Sequence, residues 1–263
     1  MNIIQSIHSE LIKLKYAPIY WLIGFICFCC LAIIFTAHIV DINNAVSLGA
    51  NPWHKMMHVY TGIMAIFISS PFIILLIGAA LYIENQSRGW KQVYTIPKSR
   101  RYLLLSKLTA ILLTILSGML VLIPLLVVMG YIIGMMFPEY EFSYYAPPFL
   151  ELLKSILLIF ISLLGIIGIQ FFLCLKFKGF LVPASFGILA FICGLILSTT
   201  NKSIVLLFPY GYPMIARDQG MFKVDKVGIE DLGPFTNVEL YSIITFLIFI
   251  LFSLIMETRK NIN

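Results

Sequence analysis

The chain has 263 residues, of which 60% are hydrophobic and only 11% charged, and its formal net charge is +6. A water-soluble domain keeps about a quarter of its residues charged to cover its surface. This composition therefore excludes a soluble globular protein and makes lipid the main solvent.

Taken in chain order, the first element is "MNIIQSIHSELIKLKY", residues 1–16. Ile3, Ile4, Ile7, Leu11 and Leu14 recur on one helical face, with Gln5, His8, Glu10, Lys13 and Lys15 largely elsewhere. The spacing predicts an interfacial amphipathic helix leading into the first span, with a plain cytoplasmic tail as the alternative. A cleavable signal peptide is not expected, because the apolar run that follows is too long and no small-residue cleavage site precedes a polar mature domain.

Six runs without Asp, Glu, Lys or Arg come next, at roughly 17–40, 60–83, 108–133, 156–175, 179–198 and 240–256. Each approaches the length of about 20 apolar residues that a membrane crossing requires. The sixth, confined between Glu239 and Glu257, is at the short limit and is expected to thin the bilayer or borrow flanking residues. A transmembrane barrel is excluded, since its strands alternate in polarity and these runs are continuous. The fold expected is all-α, with six transmembrane helices.

Between the runs the connections have their own chemistry. In "GANPWHKMMHVY", Asn51 can cap a helix and Pro52 suits its first turn. Residues 134–155 hold "FPEYEFSYYAPPF", an aromatic and proline-rich outer loop. Residues 199–238 form the longest outer region, and "SIVLLFPYGYPMIA" within it is apolar but cut by Pro209, Gly211 and Pro213. Such a piece cannot span, so it lies in the interface or dips back into the protein. Pro71, Pro124 and Pro183 fall inside or near the ends of spans, where kinks that shape packing or gating are expected.

Orientation follows from the retention of cationic loops on the cytoplasmic side. Residues 1–16, 84–107, 176–178 and 257–263 hold twelve Lys and Arg against three acids, Glu10, Glu84 and Glu257, whereas the alternate connections hold six against nine. Both termini are therefore expected in the cytoplasm of a multi-pass protein of the cell membrane. The net positive charge is a topology signal, and nothing further supports nucleic-acid binding.

Catalytic motifs are scarce. There is no GxxxxGK[S/T] phosphate loop, no serine nucleophile elbow and no HExxH, and the six cores carry no Asp, Glu, Lys or Arg of the kind that proton- or sodium-driven carriers place in their spans. Cys27, Cys29, Cys30, Cys174 and Cys193 all lie in apolar runs and read as packing residues without a disulfide. His54 and His58, four residues apart on an expected helix, with His38, Asp41, Met56 and Met57 near the same outer surface, make a soft-metal site conceivable, and ordinary interfacial histidines are the simpler reading.

The largest cytoplasmic loop, residues 84–107, is the most informative stretch: "ENQSRGWKQVYTIPKSRRYLLLSK". It has an acid at Glu84, Gly89 and Trp90 in a short polar segment, a break at Pro97, and the cations Arg88, Lys91, Lys98, Arg100, Arg101 and Lys107. This arrangement resembles the membrane subunits of type-2 ABC exporters. "NPWHKM", "GWKQVYTIPKS", "LKFKGFLVPASFGI" and "FPYGYP", in this order, are similar to bacterial permeases of the lantibiotic-immunity kind. Lys98 stands where many relatives have a small or apolar residue, and the short sixth span is atypical.

The resemblance implies a single permease domain over residues 1–263, with residues 1–16 as the elbow helix. It further implies two such subunits, identical or paired with a sister permease, and two separate ATPase subunits that bind ATP and Mg, with no cofactor and no catalysis in this chain itself. Glu84, Gly89, Trp90 and Pro97 would then couple to the ATPase. Arg88, Lys91, Arg100, Arg101 and Lys107 would contact lipid headgroups or that partner. The cargo expected is lipophilic or peptidic, as in antimicrobial-peptide resistance. A metal-exporting permease using His54 and His58, or a membrane scaffold that transports nothing, are the alternatives.

Overall fold

The computed structural model describes residues 3–16, 19–40, 51–65, 69–86, 100–177, 179–200, 202–221 and 236–259. The regular elements among them are helical: α1 (Ile3–Tyr16), α2 (Ile19–Val40), α3 (Pro52–Ile63), α4 (Ser69–Gln86), α5 (Arg100–Met136), α6 (Phe149–Lys176), α7 (Leu181–Thr200), α8 (Lys202–Val205), α9 (Tyr212–Met221) and α10 (Asn237–Arg259). Short 3-10 turns at Pro138–Tyr140, Phe142–Tyr144 and Pro209–Gly211 join them. Among the described residues, α5, α6, α7 and α10 are long and apolar enough to cross a membrane. Shorter apolar stretches lie at Ile23–Ala37 in α2 and Ser70–Tyr82 in α4.

Helix and hydropathy boundaries differ, and the differences are physical. The run expected at 108–133 belongs to a helix that starts at Arg100. At 1.5 Å per residue, its 37 residues measure about 55 Å, well beyond the roughly 30 Å of hydrocarbon. Arg100 to Lys107 are therefore helical, and Glu84 to Gln86 belong to α4, so the loop expected at 84–107 is bounded by helix at both ends. The short sixth run is resolved the same way: α10 borrows flanking residues to reach 23. Pro183 stands in the first turn of α7, where its missing N–H costs no helical bond, so no kink is needed there. Pro124 lies inside α5, which continues through it.

The centre of the bundle is α6. It buries most of its length, whereas α5, α7 and α10 leave most of theirs facing outward. Its closest partner is α10, and two glycines explain how the two backbones approach. A Cβ on Gly168 would stand 3.0 Å from the Phe246 Cα, and one on Gly165 would stand 3.4 Å from the Ser242 Oγ. With no hydrophobic force between helices in lipid, close approach of this kind supplies the van der Waals attraction that joins them. Ser242 adds a polar tie: its Oγ accepts from the Gly165 N–H at 2.9 Å and donates to the carbonyl of Ile161 at 2.8 Å. A side-chain hydroxyl thus enters the hydrogen-bond ladder of the neighbouring helix.

One end of the bundle is closed by α3 and the aromatic loop. Asn51 caps α3 by accepting from the Trp53 N–H at 3.0 Å, and Pro52 occupies the first turn, as expected from their types. Trp53 is fully buried and donates its indole N–H to the carbonyl of Tyr145 at 3.0 Å. Its ring meets Tyr131 and Phe142 edge-on. Gly130 and Gly134 on α5 make this seat, since Cβ atoms there would stand 2.5 Å from the Trp53 ring and 2.9 Å from Phe142. Glu141 joins the two outer 3-10 turns in the left-handed region, with φ of 55°.

Candidate functional site

Two regions carry the chemistry. One centres on the connection between α4 and α5. Glu84 lies in the last turn of α4, and Arg100 opens α5. Arg88, Gly89, Trp90, Lys91 and Pro97, with Lys98, fall outside the described residues. Arg101 is exposed, as a lipid or partner contact would require.

Lys107 differs from that expectation. It is buried, with Glu10 and Lys13 of α1 within electrostatic range, and Lys13 itself pairs with Glu10 at 2.5 Å. A headgroup contact needs an ammonium that reaches the interface, whereas this one is enclosed where α1 packs along α5. The packing also redistributes the faces of α1. Ser6 and Leu14 are buried, Ile7 and Leu11 are half-buried, and Ile4 points outward despite belonging to the apolar set. The first helix is thus seated on the start of α5, the helix that continues directly from the loop.

The other region is built from the segment that proline and glycine interrupt. Its 3-10 turn, Pro209–Gly211, dips back among α6 and α7. Gly194 of α7 allows this: a Cβ there would stand 2.9 Å from the backbone carbonyl of Tyr210 and 3.0 Å from the Gly211 nitrogen. Pro209 lies against Gly165 of α6. Of the two readings open for this segment, it takes the one in which irregular backbone is buried in protein, away from lipid.

Tyr210 is the tip of that turn and is buried. The Nε2 of Gln170, a fully buried residue of α6, donates to the Tyr210 hydroxyl at 2.8 Å. Space for the amide comes from Gly187, where a Cβ would collide with Nε2 at 2.2 Å. The other amide atom, Oε1, has no hydrogen-bond partner. Nearby, Tyr212 donates to the carbonyl of Leu206 at 3.0 Å, and Glu239 accepts from the Thr236 N–H at 2.8 Å to cap α10. The Thr–x–x–Glu spacing is that of a capping box.

Sequence reasoning passed over Gln170, Gly187 and Gly194, because it searched the span cores for charged residues and treated glycines as neutral. The available signal was the lone amide in the fourth run together with the tyrosine in "FPYGYP". Of the histidine pair, the Nδ1 of His54 lies 3.5 Å from the Oε2 of Glu151, linking α3 to α6. Among the described residues, no three His, Cys, Asp or Glu gather in a geometry that would hold an ion.

No curated protein matches this chain. Residues 6–194 match the model of the family described as ABC-2 family transporter protein, from the first helix through most of α7. That stretch takes in the α4–α5 connection, the α5–α6 centre and the seat for Tyr210. The chain therefore belongs to the ABC-2 transporter family, as a multi-pass membrane component that works with an ABC ATPase subunit.

Proposed function

We propose that this protein is the permease half of an exporter that moves lipophilic or amphipathic cargo, antimicrobial peptides of the lantibiotic type foremost, out of the membrane or the cell. Family membership together with span cores free of Asp, Glu, Lys and Arg carries the reading. Such cores offer hydroxyls, aromatics and aliphatics, which suit apolar cargo and give a charged one no counterion. The chain serves as one permease domain with six spans, α2 and the α3–α4 pair supplying the first two, and both ends face the cytoplasm. The elbow is α1, and residues 84–107 form the cytoplasmic connection. Two permease copies, or this one and a sister permease, assemble with a dimer of ATPase subunits that bind ATP and Mg.

In this reading Glu84 to Pro97 is the contact through which ATP hydrolysis drives the spans. Trp90 supports it, because a large aromatic on a short charged segment too small to form its own domain needs a partner groove. Aromatic anchors of this kind contribute about 2 kcal/mol or more to an interface. Trp90→Ala should reduce copurification of the ATPase, or transport per ATP, at unchanged membrane expression. Wild-type behaviour in both assays would reduce the loop to a topological anchor. Cysteines placed at 92 and 260 should label only from the cytoplasm and one at 225 only from outside; labelling of 92 from outside would overturn the orientation. Deletion should sensitise the cell to membrane-active peptides, and unchanged sensitivity across a panel would count against the cargo class.

A further inference from the structure

The consecutive helices α3 and α4 are fastened to different neighbours. A Cβ on Gly130 of α5 would stand 2.5 Å from the Trp53 ring and 3.2 Å from the Met56 Sδ, so α3 is pinned to α5. By contrast, α4 interlocks with α7 in both directions. Phe180, whose carbonyl accepts from the Ala184 N–H to open α7, sets its ring into the gap at Gly78 of α4, where a Cβ would stand 2.8 Å from that ring. One turn earlier on α4, Ile74 fills the gap at Gly187 of α7, where a Cβ would stand 2.8 Å from its Cγ2. Gly194 of α7 in turn receives the Tyr210 turn. Side chains and backbone seated in glycine gaps from both sides leave one arrangement, so α4, α7 and the turn form a unit. The other group is α5 with α1 and α2, along which it packs; α6 borders both groups. Among the described residues, α5 scarcely approaches α4.

Between the two groups packing is incomplete and the backbone is irregular. A cavity of about 30 Å³ lies there, lined by Cys27 of α2, Phe72 of α4, Ile115 and Gly118 of α5, and Met64. Interiors hold few voids larger than a water molecule, so this gap marks a boundary where the groups are not interlocked. Met64 and Ala65 follow α3 in a π-helical turn, a distortion that recurs at functional sites, and the Met64 N–H is shared between the carbonyls of Tyr60 and Thr61. Two fully buried hydroxyls flank that turn, Tyr60 before it and Ser70 in the first turn of α4, and neither has a hydrogen-bond partner. Unmatched buried donors are costly where no water substitutes, so this setting of the turn carries a penalty.

We propose that Met64–Ala65 is a hinge, about which α4, α7 and the Tyr210 turn shift together against the group of α1, α2 and α5. The hinge rests on the transport reading, because the α4–α5 connection that we assign to the ATPase joins one group to the other. Its position is read from packing alone.

The test is pulsed electron paramagnetic resonance on the permease copurified with its ATPase in lipid nanodiscs, before and after trapping with ATP, Mg and vanadate. The native cysteines are replaced by alanine, and doubly spin-labelled chains are diluted in unlabelled permease so that only distances within one chain are read. Labels replace outward-facing leucines. The pair Leu113 of α5 and Leu189 of α7 crosses the boundary, and its distance should change by about 2 Å or more, the scale of helix shifts in switching proteins. The pair Leu75 of α4 and Leu189 lies within the unit and should keep its distance. Gly118→Val, which fills the cavity, should suppress the Leu113–Leu189 change with ATPase copurification intact, and Phe180→Ala should broaden the Leu75–Leu189 distribution. A Leu113–Leu189 distance that stays fixed in a complex that hydrolyses ATP, or a Leu75–Leu189 distance that changes as much, would overturn the hinge. A change that persists in Trp90→Ala at wild-type copurification would support the hinge and sink the coupling contact, so the two fail separately.

Discussion

Two parts of this bundle are held together by different chemistry. Trp53 sits in a glycine socket against Gly130, and the Tyr210 turn against Gly194 with its hydroxyl on Gln170. Where α1 meets α5, the contact is made by long charged side chains, Glu10, Lys13 and Lys107. A ring or a turn that fills the space left by a missing Cβ has one arrangement, because neighbouring backbone cannot move aside for another. The Lys13–Glu10 pair at the surface can exchange partners at little cost near water, whereas Lys107 is enclosed. The glycine-seated contacts are therefore the more rigidly specified of the two.

That contrast can be broken most severely at Trp53. Its replacement by alanine leaves an indole-sized void and strips the loop carbonyls of Tyr145 and Phe142 of their donor. Truncations of this size cost about 3–5 kcal/mol, and thermal unfolding of the purified protein in detergent should register the loss. Gly194→Ala comes next. The added methyl meets backbone on Tyr210 and Gly211, so neither rotamer change nor a flexible neighbour relieves it, and overpacking of about 2 kcal/mol is expected in the same measurement.

Tyr210→Phe sharpens the comparison with a smaller change. It takes away the partner of the Gln170 Nε2 and leaves the amide wholly unsatisfied, for an expected loss of about 1 kcal/mol. Adding Gln170→Leu should restore most of that stability, since the unmatched amide is then gone too. A double-mutant cycle in thermal unfolding reads the coupling directly. The smallest effect is expected at the other end: neutralising Arg100 and Arg101 should leave thermal stability unchanged and weaken ATPase copurification less than Trp90→Ala. An unfolding shift as large as that of Tyr210→Phe would show that the start of α5 is as tightly fitted as the glycine-seated contacts.

Several of these elements were legible before any coordinates. The cap at Asn51 and the proline in the first turn of α3 follow from residue type alone, because capping is a local property. The interrupted segment around Pro209 could be denied a membrane crossing, yet its two possible positions could not be separated. The choice depends on Gly194 being opposite, and α7 is far from any local signal that links the two. The helix α5 extends beyond the apolar run 108–133 by eight residues at its start and three at its end, because hydropathy reports where lipid ends and helical hydrogen bonding does not stop there.

Lys107 illustrates the same limit at a single residue. Its charge marked a cytoplasmic boundary, and from the sequence a headgroup contact was as reasonable as a partner contact. Only the packing of α1 along α5 encloses it. Composition by itself determined that this chain lives in lipid, since that depends on totals summed over long windows. Tertiary structure decided which polar atoms meet, because the pairing of Gln170 with Tyr210, the enclosure of Lys107 and the unmatched hydroxyl of Tyr60 each depend on distances between helices that no periodicity encodes.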